Sequence, residues 1–351
     1  MLHINLVGFC LFNRGINMND NVIGKFYLIK EGAINMNTKT VVLNAERMNF
    51  DKKLDFSILS DDVTVYDSTP EELMLERIEG AGIIVTKEIP VKGEMIEKFP
   101  DSVKLICEAG TGYNNIDLEA AKKKGITVCN IPAYSTQRVA HTAIMFILNL
   151  SSTMQVQQAM LTKGNHDNFT KCLQVNHVEV NGKTLGIIGG GNIGLEVAKV
   201  ANALGMKILI HTRTPKENEE NLTYTSLEEV LKNSDYVSLH CPLNEKTKHI
   251  INAETLSLMK PTAFLINTAR GALIDEPALI EALKKGTIAG AGLDVQETEP
   301  PVEDNPLYTM ENVILTPHMG WKGLETRQRL VSILADNVQS YIKGNPINVV
   351  C

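Results

Sequence analysis

The stretch Thr184-Leu185-Gly186-Ile187-Ile188-Gly189-Gly190-Gly191-Asn192-Ile193-Gly194 decides the fold. An apolar run, a strand over 184–189, passes directly into Gly-x-Gly-x-x-Gly, and a helix over 195–204 follows. Each glycine has its own task there. Gly189 permits the tight turn, Gly191 lets a pyrophosphate approach the backbone, and Gly194 lets the helix lie close to the strand. Asn192 and Ile193 stand at the helix start, where free N–H groups and the positive end of the dipole attract phosphate. A bare turn between strand and helix could use the same glycines; the strand that follows makes a dinucleotide site the better reading.

That next strand, 206–211, ends where an acid would bond the 2′-hydroxyl of the adenosine ribose and repel a 2′-phosphate. Thr212 stands there instead, followed by Arg213. A hydroxyl beside a guanidinium accepts phosphate, so NADP(H) is favoured over NAD(H); the plain alternative is that Arg213 is a solvated loop charge.

Working outward, strands at 236–240, 263–267, 290–294 and 313–315 continue the unit. Ser226 and Glu229 have capping-box spacing, and a helix opened by Asp275 closes at Gly286 after Lys284 and Lys285. Upstream, strands at 40–43, 63–66, 81–85, 103–107 and 126–129 alternate with helices at 70–78, 91–98 and 117–124. A long helix from 136 through the 150s groups residues 139, 143, 146, 147 and 150 on one face, and a last helix covers 324–342. The fold class is therefore α/β, with two Rossmann-like domains built on doubly wound parallel sheets. A discontinuous substrate domain, 36–134 plus 317–351, is expected around a dinucleotide domain at 135–316. Residues 1–35 lack periodicity and read as an extension, with Met18 or Met36 as an alternative start.

Of 351 residues 44% are hydrophobic and 21% charged, the balance of a globular chain with a large core. A net charge of −7 opposes a phosphate-backbone interface, so no nucleic-acid partner is expected. The cysteines at 10, 107, 129, 172, 241 and 351 form no Cys-x-x-Cys; they read as reduced thiols in a cytoplasmic protein, with no metal site. The longest apolar stretch, 139–150, contains His141, Thr142 and Asn149 and falls short of the roughly 20 residues a span requires, so no membrane is expected. The apolar run 6–12 lacks the basic flank and cleavage site of a secretion signal.

Four further segments fall at or just past the carboxyl ends of the strands: Cys241-Pro242-Leu243, Asn267-Thr268-Ala269-Arg270-Gly271, Gly292-Leu293-Asp294-Val295 with Glu299-Pro300, and Thr316-Pro317-His318. Ligands collect at that edge, so Arg270, Asp294, Glu299 and His318 are expected to converge on one crevice. Singly each has a plainer reading, as a turn histidine, a surface arginine or a solvated glutamate.

With Thr111-Gly112-Tyr113-Asn114-Asn115-Ile116-Asp117, Ala133-Tyr134-Ser135-Thr136 and Trp321, these segments make the chain resemble the D-isomer-specific 2-hydroxyacid dehydrogenases from about 38 to 350, and within them the glycerate dehydrogenase or hydroxypyruvate reductase branch. The resemblance implies an oxidoreductase that reduces a small 2-oxo acid, hydroxypyruvate or glyoxylate favoured, with NAD(P)H. It implies Arg270, Glu299 and His318 as the active site, and Thr111 and Gly112 as backbone donors to the substrate carboxylate. Cys241, Pro242, Thr247, Thr268 and Asp294 are expected to line the cofactor site. The chemistry suits these types: the carbonyl oxygen gains a proton as C2 is reduced, which His318 can supply, Glu299 fixes its tautomer, and Arg270 offers a planar donor set. Trp321 either lines the pocket or packs where the last helix begins, packing being favoured.

Two positions depart from the family pattern: His141, where Glu or Gln is frequent, and Thr212. Formate dehydrogenase would carry Gln in place of Glu299, and phosphoglycerate dehydrogenase commonly adds a C-terminal domain where this chain ends seven residues after Gly344. D-lactate dehydrogenase stays open, and a non-catalytic NAD(H)-sensing protein is the reading of another class. A homodimer is expected by family analogy.

Overall fold

The computed structural model describes residues 37–300 and 302–351, so the extension read over 1–35 lies outside the described residues. Strands β1 (Thr40–Val42), β2 (Val63–Val65), β3 (Ile83–Thr86), β4 (Leu105–Glu108) and β5 (Thr127–Cys129) form one parallel sheet in the order β2-β1-β3-β4-β5. A second parallel sheet contains β6 (Thr184–Ile188), β7 (Lys207–His211), β8 (Leu222–Tyr224), β9 (Tyr236–Leu239), β10 (Phe264–Asn267), β11 (Gly290–Leu293) and β12 (Val313–Leu315). Its order is β12-β11-β10-β9-β6-β7-β8. The expected α/β class with two parallel sheets is borne out. Val41, Val42, Ile84 and Ile106, like Leu185 and Leu265, are fully buried because helices cover both sheet faces, which is why these strands read as continuous apolar runs.

Two helices set the cores. Helix Thr136–Ser151 lies across β10 and β11 and places Ala140, Ala143, Phe146, Ile147 and Leu150 in one buried cluster with Ile187, Ile208 and Ile266. At Gly292 a Cβ would fall 2.6 Å from the Phe146 ring, so the glycine in β11 admits this helix. Helix Leu324–Ile342 packs Leu330, Leu334 and Val338, all at 0% exposure, against Val42, Ile83 and Leu105 of the first sheet. Each such burial stabilises by about 1.5–3 kcal/mol.

Three local expectations need correction. The long helix does not run through the 150s: Ser151 and Ser152 hydroxyls bond back to the Leu148 carbonyl, Thr153 takes φ +49, and a second helix, Met154–Thr162, departs at 64°. Ser226 caps its helix by accepting from the Glu229 N–H, yet the Glu229 carboxylate accepts from Asn233 instead of closing the box. The reciprocal box is made by Asn252 and Thr255. Edge strand β8 was not anticipated, being three residues with a half-polar pattern. Asp275 and Gly286 cap as expected, Gly286 at φ +68.

The strand order reverses between β1 and β3 in the first sheet and between β6 and β9 in the second. Crevices beyond the carboxyl ends at such points are where open parallel sheets take ligands.

Candidate active site

The glycine loop occupies the second switch point. Gly189 has φ +113, and a Cβ there would lie 2.5 Å from the Cys241 backbone nitrogen, so the loops after β6 and β9 touch only because this residue has no side chain. A Cβ on Gly194 would sit 2.1 Å from the Gly189 carbonyl, which sets how closely helix Asn192–Ala203 meets its strand. That helix starts three residues before the expected 195, so the Asn192 and Ile193 N–H groups belong to its unsatisfied first turn. Among the described residues nothing lies within 4 Å of a Cβ on Gly191, leaving open space before those donors.

Around the loop, Thr212 packs its Cβ 3.3 Å from where a Gly190 Cβ would be, and Arg213 is exposed. Thr247 Oγ1 donates to the Pro242 carbonyl at 2.6 Å and accepts from the Asn244 N–H at 2.9 Å, pinning the turn after Cys241. The Cys241 thiol is pushed up to about 11 by burial and stays protonated. Thr268 is 8% exposed, and its Oγ1 has no hydrogen-bond partner among the described residues. An orphaned hydroxyl, an open face at Gly191 and an undecorated helix start together fit a dinucleotide. His240, which the sequence did not single out, bonds Ser238 Oγ at 2.8 Å, and burial pushes it down to about 3, so it is neutral.

His318 and Glu299 come together directly: Nδ1 lies 2.8 Å from Glu299 Oε2. Burial raises the Glu299 pKa, but the His318 hydrogen bond and charge and the Gln296 N–H outweigh it, and the net direction is downward. His318 sits at φ +49, and its N–H donates to the Asp294 carbonyl at 2.9 Å. The Asp294 carboxylate, expected to line the cofactor site, holds the histidine's turn. It is 2% exposed and accepts from Thr316 Oγ1 at 2.5 Å, Met319 N at 2.8 Å and Gly320 N at 2.7 Å.

Arg270 follows β10 and is brought beside the Glu299 loop by Gly271, where a Cβ would lie 1.9 Å from the Gln296 carbonyl. Its guanidinium lies against Gly112: a Cβ there would be 2.0 Å from Nη2. Thr111 is turned away to donate its hydroxyl to the Ile131 carbonyl at 2.9 Å. A cleft of about 500 Å³ opens beside the His318–Glu299 pair, lined also by Arg47, Glu88, Gln296 and Trp321. Arg270 is not among its lining residues. Trp321 does both things the sequence left open, since it is 6% exposed within the first-sheet core and still borders the cleft. Among the described residues no cluster of three or more His, Cys, Asp or Glu could hold a metal ion.

Residues 144–320 match the profile described as "D-isomer specific 2-hydroxyacid dehydrogenase, NAD binding domain". The chain belongs to the D-isomer-specific 2-hydroxyacid dehydrogenase family. It is an oxidoreductase of that family with a nicotinamide dinucleotide as cofactor. A hydroxypyruvate reductase of Blautia hydrogenotrophica is 39% identical over 82% of this chain and 91% of its own length. A glycerate dehydrogenase of Methylorubrum extorquens is 40% identical over 81% and 90%. Among solved structures, an NADPH-dependent glyoxylate/hydroxypyruvate reductase from Sinorhizobium meliloti, in complex with NADP and malonate, superimposes with a TM-score of 0.77 at 29% identity, covering 90% of this chain and 97% of that one.

Glu88 and Arg47, which line the cleft, and Lys87, buried beside Glu88, were missed by sequence reasoning. A lysine followed by a glutamate reads as surface charge, and nothing local signals that Lys87 is 2% exposed.

Proposed function

We propose that this dehydrogenase reduces hydroxypyruvate or glyoxylate to the D-2-hydroxy acid, with His318 as general acid, Glu299 orienting it and Arg270 binding substrate. The 2.8 Å contact between His318 Nδ1 and Glu299 carries the reading. A carboxylate on Nδ1 fixes the tautomer and stabilises imidazolium, leaving Nε2 to exchange a proton with the substrate oxygen. Arg270, set against Gly112, would hold the substrate carboxylate or carbonyl oxygen, with the Thr111 and Gly112 N–H groups as further donors. Asp294 acts by holding the turn that carries His318.

Gly189, Gly191, Asn192, Ile193 and Gly194 would hold the cofactor's pyrophosphate, and Thr212 and Arg213 its ribose phosphate. Cys241, Pro242, Thr247 and Thr268 would line the remaining length. When bound, the reduced nicotinamide supplies the hydrogen and electron pair that C2 receives. The hydroxyl and guanidinium at 212–213 favour NADP(H). Closure of a substrate domain, 36–134 plus 317–351, over 135–316 would keep water from the reacting atoms.

A homodimer fits the stretch from the last turn of the long helix onward, where Leu148, Met154, Leu161, Phe169, Leu173 and Val178 expose apolar surface, Phe169 to 77%. Cys107 and Cys129 are neighbours in register on β4 and β5 yet both free, which suits a reducing cytoplasm.

Initial rates with NADPH and NADH across hydroxypyruvate, glyoxylate, pyruvate and 3-phosphohydroxypyruvate test the proposal. Fastest turnover of hydroxypyruvate or glyoxylate with NADPH supports it. Fastest turnover of pyruvate would make it a D-lactate dehydrogenase, and NADPH binding with no turnover a sensing protein.

A further inference from the structure

The first sheet has a switch point of its own, between β1 and β3, and it carries charged groups that the proposed reaction does not use. Asn44, just past β1, grips Lys87, just past β3: Oδ1 accepts the Lys87 N–H at 2.9 Å and Nδ2 donates to the Lys87 carbonyl. The Lys87 ammonium is buried, meets Glu88 Oε1 at 2.5 Å and stands 4.1 Å over the Trp321 ring. A Cβ on Gly110, beside the Thr111-Gly112 loop, would lie 3.2 Å from it. A buried ammonium is tolerated only when paired, so Lys87 fixes the carboxylate of Glu88.

Glu88 is held at every other point as well. Its backbone takes φ +58, a region side chains larger than glycine rarely enter, and its N–H donates to Glu108 Oε1 at 2.9 Å. Glu108, fully buried, is itself held by Thr86 Oγ1 at 2.7 Å and Asn115 Nδ2 at 2.9 Å. So fixed, the Glu88 side chain is 39% exposed and borders the same cleft as His318. Burial raises its pKa, but the charge and hydrogen bond of Lys87, with His318 and Arg47, outweigh that, and it stays an ionised acceptor. Backbone cost of this kind, sustained by the surroundings at a cleft, marks a position kept for what it contacts.

We propose that Glu88, seated on Lys87, is a specificity-determining residue that reads the substituent on C3 of the 2-oxo acid. Its carboxylate accepts a hydrogen bond from a hydroxymethyl group, gains nothing from a methyl, and repels a phosphate or second carboxylate. Arg47, 3.8 Å from Glu88 Oε2 and more than half exposed, is the cation that would reverse this choice if it, not Glu88, met the substituent. The inference rests on the proposed 2-oxo acid reduction and deepens it.

The test compares kcat/KM for hydroxypyruvate, pyruvate and 3-phosphohydroxypyruvate, with glyoxylate, which has no C3, as the reference. The wild-type enzyme is expected to prefer hydroxypyruvate to pyruvate by about tenfold or more, and to use the phosphorylated acid least. Glu88→Gln keeps an acceptor and removes the charge, so discrimination against the phosphorylated acid falls by about tenfold while the preference over pyruvate falls less. Because Glu88→Gln leaves the Lys87 ammonium unpaired, the double variant Lys87→Met/Glu88→Leu removes both partners, and in it both ratios collapse. A purely structural role would scale all the substrates alike. Glyoxylate reduction with unchanged ratios in both variants, or a wild-type preference for the phosphorylated acid, overturns this inference alone. No reduction of any of the four overturns the reaction as well.

Discussion

Asp294→Asn separates two roles for this carboxylate, contact with the cofactor and support of His318, the proposed general acid. Oδ1 accepts from Thr316 Oγ1 and Met319 N, Oδ2 accepts from Gly320 N at 2.7 Å, and the residue's own carbonyl takes the His318 N–H at 2.9 Å. Whichever way the amide turns, its NH2 faces at least one backbone N–H in a place that is 2% exposed. Losing one hydrogen bond to a carboxylate and leaving its donor buried costs about 3 kcal/mol. If that cost falls on the turn holding His318 against Glu299, the competent population, and with it kcat, drops about a hundredfold. The assay is steady-state kcat at a temperature where the variant is fully folded, with NADPH affinity measured by fluorescence quenching. The expected result is a large fall in kcat with affinity nearly intact. Weakened NADPH binding with kcat retained would refute the reasoning and return Asp294 to the cofactor site.

Two further outcomes follow from single sites. Thr212→Asp places a carboxylate where a 2′-phosphate would lie, so the NADPH to NADH ratio of kcat/KM should fall by about tenfold or more; an unchanged ratio would mean that position 212 does not meet the ribose. Asp51 is held down at about 2, against 3.8, chiefly by its hydrogen bond to Arg327, an arginine 2% exposed. A depressed carboxylate contributes stability that is complete above its unfolded pKa and lost as pH falls through the folded value, here between about pH 4 and pH 2. Asp51→Asn should therefore lower Tm at neutral pH, and its deficit should shrink as the pH approaches 2; a deficit constant across that range would remove the pair from acid stability.

The parallel sheets were legible because strands buried on both faces carry continuous apolar runs, as in Ile83 to Val85 and Leu185 to Ile188. Strand β8 was not, since three edge residues with polar neighbours leave no such run. The break at Thr153 was hidden because its cause is hydroxyls competing for backbone carbonyls, which an apolar periodicity does not register. At the site, residue types could be read but not their partners. Asp294 stood out, yet the N–H groups of Met319 and Gly320 that it serves have no signature in side-chain identity. Lys87 and Glu88 were overlooked because burial of the lysine depends on Trp321, contributed from the far end of the chain.

The measurement that bears most directly on catalysis by the His318–Glu299 pair is kcat for His318→Ala with hydroxypyruvate or glyoxylate, taken beside NADPH affinity. If this imidazole transfers the proton as proposed, its loss should reduce kcat by about a hundredfold to ten-thousandfold while the nucleotide still binds at the glycine loop. Turnover at the wild-type rate would contradict it.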